Sequence, residues 1–163
     1  MFPDDIEALA RQVIEAAAAR GLMVATAESC TGGLVAGALT AIAGSSAVVE
    51  RGFVTYSNAA KTELLGVPAD LIEAHGAVSE PVARAMAGGA ADRSAAQVSV
   101  SVTGIAGPGG GSPDKPVGLV HFAAVGPAGA LHVEHRFGDL GREAIRLESV
   151  RVALRLLLDR IGA

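Results

Sequence analysis

Three short segments combine side chains that can attack, accept a proton or hold an anion. The first is Glu28-Ser29-Cys30-Thr31-Gly32-Gly33. It falls between a short apolar run and an Ala/Leu-rich stretch, which reads as a strand-to-helix turn, where side chains rise to the carboxyl edge of a sheet. Glycines let a substrate approach the backbone, and free N–H groups at a helix start can hold an oxyanion. Ser29 is a candidate nucleophile; on spacing alone, capping by Ser29 or Thr31 is the commoner role, and the segment is not a G-x-S-x-G elbow. Cys30 is a rival nucleophile, but no histidine lies near it in sequence to activate it, so it reads as a small buried thiol.

The second segment is Tyr56-Ser57-Asn58-Ala59-Ala60-Lys61. Asn58 is expected to cap a short helix, which puts Lys61 in its first turns. There the macrodipole and any burial disfavour the ammonium. A neutral lysine is what a serine needs as general base. A solvated surface lysine is the ordinary alternative, and position alone does not dispose of it.

The third segment runs from Thr103-Gly104 through Gly107-Pro108-Gly109-Gly110-Gly111 to Lys115-Pro116-Val117-Gly118. A glycine-rich loop after a strand can present a nest of N–H donors to phosphate or an oxyanion. It lacks the Gly-Lys-Ser/Thr of a phosphate-binding P-loop, and Pro108 and Pro113 forbid the helix that a dinucleotide fingerprint opens. A flexible surface hairpin is an equally good reading from composition. The four histidines define no metal site. His132 and His135 lie on a strand, where a three-residue spacing sends them to opposite faces. His75 and His121 read as isolated structural residues. No Cys/His/Asp cluster has zinc-ligand spacing.

The elements that must position these segments follow from periodicity. Asp4 or Asp5 is expected to cap a helix to about Arg20, with Ile6, Leu9, Ala10, Val13, Ile14 and Ala17 on one face. Strands are expected at 22–27, 48–57 and 97–103, and a hairpin at 117–125 and 131–137 turns around Gly126–Gly129. Helices are expected at 33–43, 59–65, from Pro68 to His75, from Ser79-Glu80-Pro81 to about Asp92, and at 141–161. Interleaved helices and strands with one antiparallel hairpin give an α/β fold: a single domain over residues 1–163, with a mixed sheet and helices on both faces.

Bulk composition narrows the function. The chain has 163 residues, enough for one compact domain, and half of them are apolar. Only 3% are aromatic, so the core must be aliphatic. With a net charge of −4, no basic run and few rings to stack bases, nucleic acid is a poor partner. The single cysteine fits a reducing cytosol, the acidic N-terminus is unlike a secretory signal, and the longest apolar run is too short for a bilayer. A soluble cytoplasmic protein without a membrane partner is expected.

Taken in order and spacing, Thr26-Ala27-Glu28-Ser29-Cys30-Thr31-Gly32-Gly33, Tyr56-Ser57-Asn58 with Lys61, Gly76-Ala77-Val78-Ser79, Thr103 to Pro108 with Gly110, and Lys115-Pro116-Val117-Gly118 resemble the C-terminal domain of the CinA family. The resemblance covers roughly Leu9 to Leu157. Many members carry an additional N-terminal domain for which this chain has no room, so the chain is expected to resemble the stand-alone nicotinamide-nucleotide amidases. That implies hydrolysis of nicotinamide mononucleotide to nicotinic acid mononucleotide and ammonia, in pyridine-nucleotide salvage, with no metal or organic cofactor. The resemblance places Ser29 on the nucleophile, Lys61 on the general base, and Tyr56 and Thr103 on further active-site positions. It also implies a homo-oligomer. Substrate contacts are expected from Glu28, Thr31, Gly32, Gly33, Asn58, Gly104, Gly107, Gly110 and Lys115. Glu28 would balance the pyridinium charge or act as a cap; the Gly107–Gly111 loop with Lys115 would hold the phosphate. No role is read for Arg142 or Arg146. The competing readings are a non-catalytic nucleotide-sensing module and an amidase for a related pyridine amide.

Overall fold

The computed structural model describes residues 1–162; Ala163, the last residue of the expected domain, lies outside them. The elements are α1 (Asp4–Ala19), β1 (Val24–Glu28), α2 (Leu34–Thr40), a 3-10 turn at Ser45–Ala47, β2 (Val49–Val54), α3 (Asn58–Leu65), α4 (Ala69–His75), α5 (Glu80–Asp92), β3 (Val98–Gly104), β4 (Leu119–Gly126), β5 (Gly129–Arg136) and α6 (Arg142–Ile161). They form one five-stranded sheet of order β2-β1-β3-β4-β5. β1 lies parallel to both β2 and β3, whereas β3, β4 and β5 run antiparallel to one another. The sheet is therefore mixed, as expected.

Each face is covered by helices. On one side α1, α2 and α6 bury Ile6, Val13, Leu39 and Leu154 against Val100, Val102 and Phe122. On the other, α3, α4 and α5 bury Leu65, Ile72, Val82 and Met86 against Ala25 and Ala27. The alternation of Val with Ser in β3 separates the two faces. Ser99 and Ser101 donate to the Ala87 and Ala83 carbonyls of α5 at 2.7 and 2.6 Å. Small hydroxyl side chains let an alanine-rich helix approach closely while each buried donor keeps a partner. Close approach also explains a glycine in α5: a Cβ on Gly89 would run into the Leu65 carbonyl oxygen.

Three helix starts differ from expectation. Pro3, not an aspartate, occupies the N-cap of α1, and Asp4 and Asp5 lie in its first turn, where they favour the macrodipole instead. Ser57, not Asn58, caps α3, its Oγ accepting from Ala60 N at 3.0 Å. Neither Ser29 nor Thr31 caps α2. Glu28 does so through space, accepting from Val35 N at 2.9 Å and Ala36 N at 3.0 Å. No helix among the described residues is long and apolar enough to cross a membrane.

Candidate active site

The carboxyl ends of the three parallel strands converge. Ser29 follows β1, and its N–H donates to the Val102 carbonyl of β3 at 2.9 Å. On the other side the Thr55 N–H donates to the Glu28 carbonyl at 2.9 Å, which prolongs the β1–β2 pairing to the start of the Tyr56 turn. Sheet hydrogen bonding thus fixes Ser29 between the end of β2 and the glycine-rich loop after β3. Gly32 and Gly33, at φ of 57° and 104°, turn the chain sharply into α2. That left-handed backbone favours glycine.

Lys61 enters from behind. It is 1% exposed, and its Nζ lies 3.1 Å from Ser29 Oγ, 3.0 Å from the Thr55 carbonyl oxygen and 3.4 Å from the Tyr56 carbonyl oxygen. Burial holds the amine below the usual lysine range. No carboxylate lies within ion-pair distance of it among the described residues. When the amine is neutral, two N–H bonds can serve the two carbonyls and leave the lone pair for the Ser29 hydroxyl. When it is protonated, all three oxygens accept.

Cys30 is 5% exposed, and burial pushes its thiol up to about 11, so it remains protonated at neutral pH. The buried amine lies within hydrogen-bond distance of the hydroxyl at 29.

A cleft of about 260 Å³ opens over this pair. Ser29, Cys30, Tyr56 and Arg142 line it, together with the glycine loop at Gly104, Gly107, Gly109 and Gly110. No backbone N–H from Ala106 to Gly111 donates to a carbonyl among the described residues, which leaves donors to spare in a loop that lines the cleft. Ser29, Tyr56, Gly104, Gly107 and Gly110 are thus brought together as expected, with Lys61 directly beneath.

Other expected contacts go elsewhere. Glu28 is fully buried, and both carboxylate oxygens are taken by α2 N–H groups. Its position is that of a helix cap and not of a counter-charge for a ligand. Asn58 lines a separate hollow of about 290 Å³ with Thr62, Ile72 and Glu73, because capping by Ser57 turns Asn58 outward on α3. Lys115 Nζ donates to the His75 carbonyl at 2.6 Å, which ties the glycine loop to the end of α4 and keeps the amine out of the cleft lining. Thr103 is 1% exposed and donates to the Ala77 carbonyl at 2.9 Å, a strut behind the site. Thr31 is fully buried within the turn.

Arg142 is the residue that sequence reasoning missed. Its guanidinium donates to the Gly107 carbonyl at 2.8 Å and to the Tyr56 hydroxyl at 3.0 Å, joining both walls of the cleft. A signal existed: an arginine in the first turn of α6 opposes the macrodipole, the same oddity that singled out Lys61. His121 is a second correction. It is not isolated, since its Nδ1 lies 2.8 Å from His132 Nε2 across β4 and β5. His132 and His135 do take opposite faces of β5: His132 stacks on His121, and His135 packs on Phe122 and Phe137.

Fold and cleft together define a three-layer α/β protein with a buried lysine beside a serine at the carboxyl edge of its parallel strands. Residues 6–161 match the family model described as the CinA C-terminal domain, and the chain belongs to that family. It is 52% identical over 158 residues to a CinA-like protein of Anaeromyxobacter sp. (strain K), a match covering 96% of this chain and 38% of that protein. The chain thus spans well under half the length of the curated relatives it matches. Among solved structures, the competence/damage inducible protein CihA from Agrobacterium tumefaciens superposes with a TM-score of 0.97 at 58% identity, covering 100% of this chain and 99% of that one. A CinA superfamily protein from Escherichia coli superposes with a TM-score of 0.90 at 38% identity, covering 97% and 92% of the respective chains.

Proposed function

We propose that the chain is an amidohydrolase that cleaves the carboxamide of nicotinamide mononucleotide, giving nicotinic acid mononucleotide and ammonia. The observation that carries this reading is the 3.1 Å approach of the buried Lys61 amine to Ser29 Oγ, at the floor of an open cleft. A general base must lie within hydrogen-bond reach of the proton it takes, and its pKa must let it be neutral at working pH. Burial of Lys61 supports the second condition.

The proposed steps balance. Neutral Lys61 takes the Ser29 hydroxyl proton as Oγ bonds to the carboxamide carbon, whose π electrons move onto oxygen. Main-chain N–H groups of the Ser29–Gly33 turn and the glycine loop stabilise that oxyanion, at about 3 kcal/mol per well-placed donor. Collapse of the tetrahedral species breaks the C–N bond, and the leaving nitrogen takes the proton back from Lys61 as ammonia departs. Lys61 then deprotonates water, water adds to the ester, and Ser29 recovers its proton as the acid leaves. The ring of the substrate assists twice. Its positive charge withdraws electrons from the carbonyl, and it disfavours a second cation at Lys61.

For the phosphate, the unpaired N–H groups at 106–111 and the Arg142 guanidinium are the site this reading assigns. Arginine matches phosphate with two parallel donors. Homo-oligomer formation belongs to the same proposal and is checked by light scattering of the purified chain.

The test is ammonia release from nicotinamide mononucleotide by wild type, Ser29→Ala and Lys61→Arg, with the nucleoside lacking phosphate and free nicotinamide as competing amides. The reading requires turnover that Ser29→Ala abolishes. Equal turnover by wild type and Ser29→Ala rejects it, and preference for another amide relocates the substrate.

A further inference from the structure

Arg146 lies one turn beyond Arg142 on α6 and takes part in no step above. Its Nε donates to the Cys30 carbonyl at 3.1 Å and its Nη2 to the Thr31 carbonyl at 3.2 Å. It forms no ion pair among the described residues, although it is partly buried. A guanidinium is expensive to bury without a carboxylate. Here its Nε and Nη2 donors are committed to two consecutive peptide carbonyls of the turn that carries Ser29.

The consequence for the turn is directional. A trans peptide points its C=O and N–H in opposite directions. A cation fixed on the Cys30 carbonyl therefore leaves the N–H of the same peptide, that of Thr31, facing away from the guanidinium. The Thr31 N–H donates to no acceptor among the described residues, and neither does that of Cys30, whereas the Gly32 N–H closes the turn on the Ser29 carbonyl at 3.0 Å. Charge on one end of a peptide group polarises the other, and the effect is larger in a low-dielectric interior.

We propose that Arg146 is a positioning residue for the oxyanion: it locks the Ser29–Gly33 turn and polarises the free main-chain N–H of Thr31, so that this donor binds negative charge building on a carbonyl attacked by Ser29. This rests on the reading of Ser29 as nucleophile. It assigns Arg146 a role in the rate of bond formation at Ser29 and none in substrate affinity, in contrast to Arg142.

The test separates the two readings by using a fluorophosphonate probe, which acquires a covalent bond to an activated serine and loses fluoride, independently of any amide substrate. Second-order labelling rates are measured by intact mass for wild type, Ser29→Ala, Arg146→Lys and Arg146→Gln, with melting temperatures recorded for each. The expected result is labelling of wild type, none of Ser29→Ala, Arg146→Gln slowed by on the order of tenfold to a hundredfold, and Arg146→Lys slowed far less. Gln keeps a hydrogen-bond donor without the charge, and Lys keeps the charge without the fork, so a merely structural clamp would slow both alike. Equal slowing of Lys and Gln variants, or an unslowed Gln variant of normal melting temperature, overturns the role of Arg146 and leaves Ser29 standing. A folded wild type that is not labelled at Ser29 overturns the nucleophile and this inference with it.

Discussion

The Lys61 amine and the Ser29 hydroxyl meet at 3.1 Å although they are 32 residues apart, and nothing but two main-chain carbonyls shares the amine with that hydroxyl. A buried base with no carboxylate beside it should work only when neutral. For wild type, kcat/KM is expected to rise with pH through the lowered lysine pKa and to level off below the ordinary value of 10.5. Arginine at position 61 stays protonated at all accessible pH, so Lys61→Arg should lose on the order of a thousandfold in kcat at every pH measured. A pH–rate profile of both proteins checks this.

Arg142 and Tyr56 clamp the mouth of the cleft. Arg142→Ala removes charge-assisted hydrogen bonds worth about 1.5–3 kcal/mol, so KM for the phosphorylated nucleotide should rise on the order of tenfold to a hundredfold. KM for the corresponding nucleoside should change much less. Steady-state kinetics on the two amides give the comparison.

Stability should depend on pH through His121 and His132. Burial, first among the causes, holds both below the ordinary histidine value, and their mutual repulsion adds to this for His121, while Glu134 and Glu80 work partly against it. The unfolded chain therefore binds more protons than the native state just below pH 6.5, and stability conferred by the neutral pair is lost as pH falls from there. Melting temperature should fall between pH 7 and pH 5, and His132→Asn should flatten that slope. Thermal denaturation at several pH values tests it.

Two adjacent glycines of α5 should respond in opposite ways. A Cβ on Gly89 would meet the Leu65 backbone, whereas a Cβ on Gly88 meets nothing within 4 Å. Gly89→Ala is expected to cost about 1–3 kcal/mol or more through overpacking. Gly88→Ala is expected to gain about 0.5–1 kcal/mol from helix propensity. Urea unfolding of both variants measures the difference.

Much of this was readable in the residues. Periodicity gave α1 and α6, which bury a regular apolar face, and the Val/Ser alternation gave β3; the mixed sheet followed from the Gly126–Gly129 hairpin among interleaved helices. The Ser29 turn and Lys61 were found because a strand-to-helix junction and a cation at a helix start are local features. Asn58 lost the cap of α3 to its neighbour Ser57, a local choice between two good capping residues, and of the two roles read for Glu28 the α2 N–H groups take up the cap. The contact of Lys115 was not readable, since its partner, the His75 carbonyl, is brought in through the tertiary fold. Arg142 and Arg146 escaped for the same reason, because their partners at Gly107, Tyr56, Cys30 and Thr31 lie far from them in sequence.

The most direct measurement is mass analysis of the chain quenched in acid during turnover of nicotinamide mononucleotide. An ester adduct on the peptide containing Ser29, absent in Ser29→Ala, is the result expected of a serine activated by Lys61. Undiminished ammonia release by Ser29→Ala, with no adduct on any wild-type peptide, would contradict it.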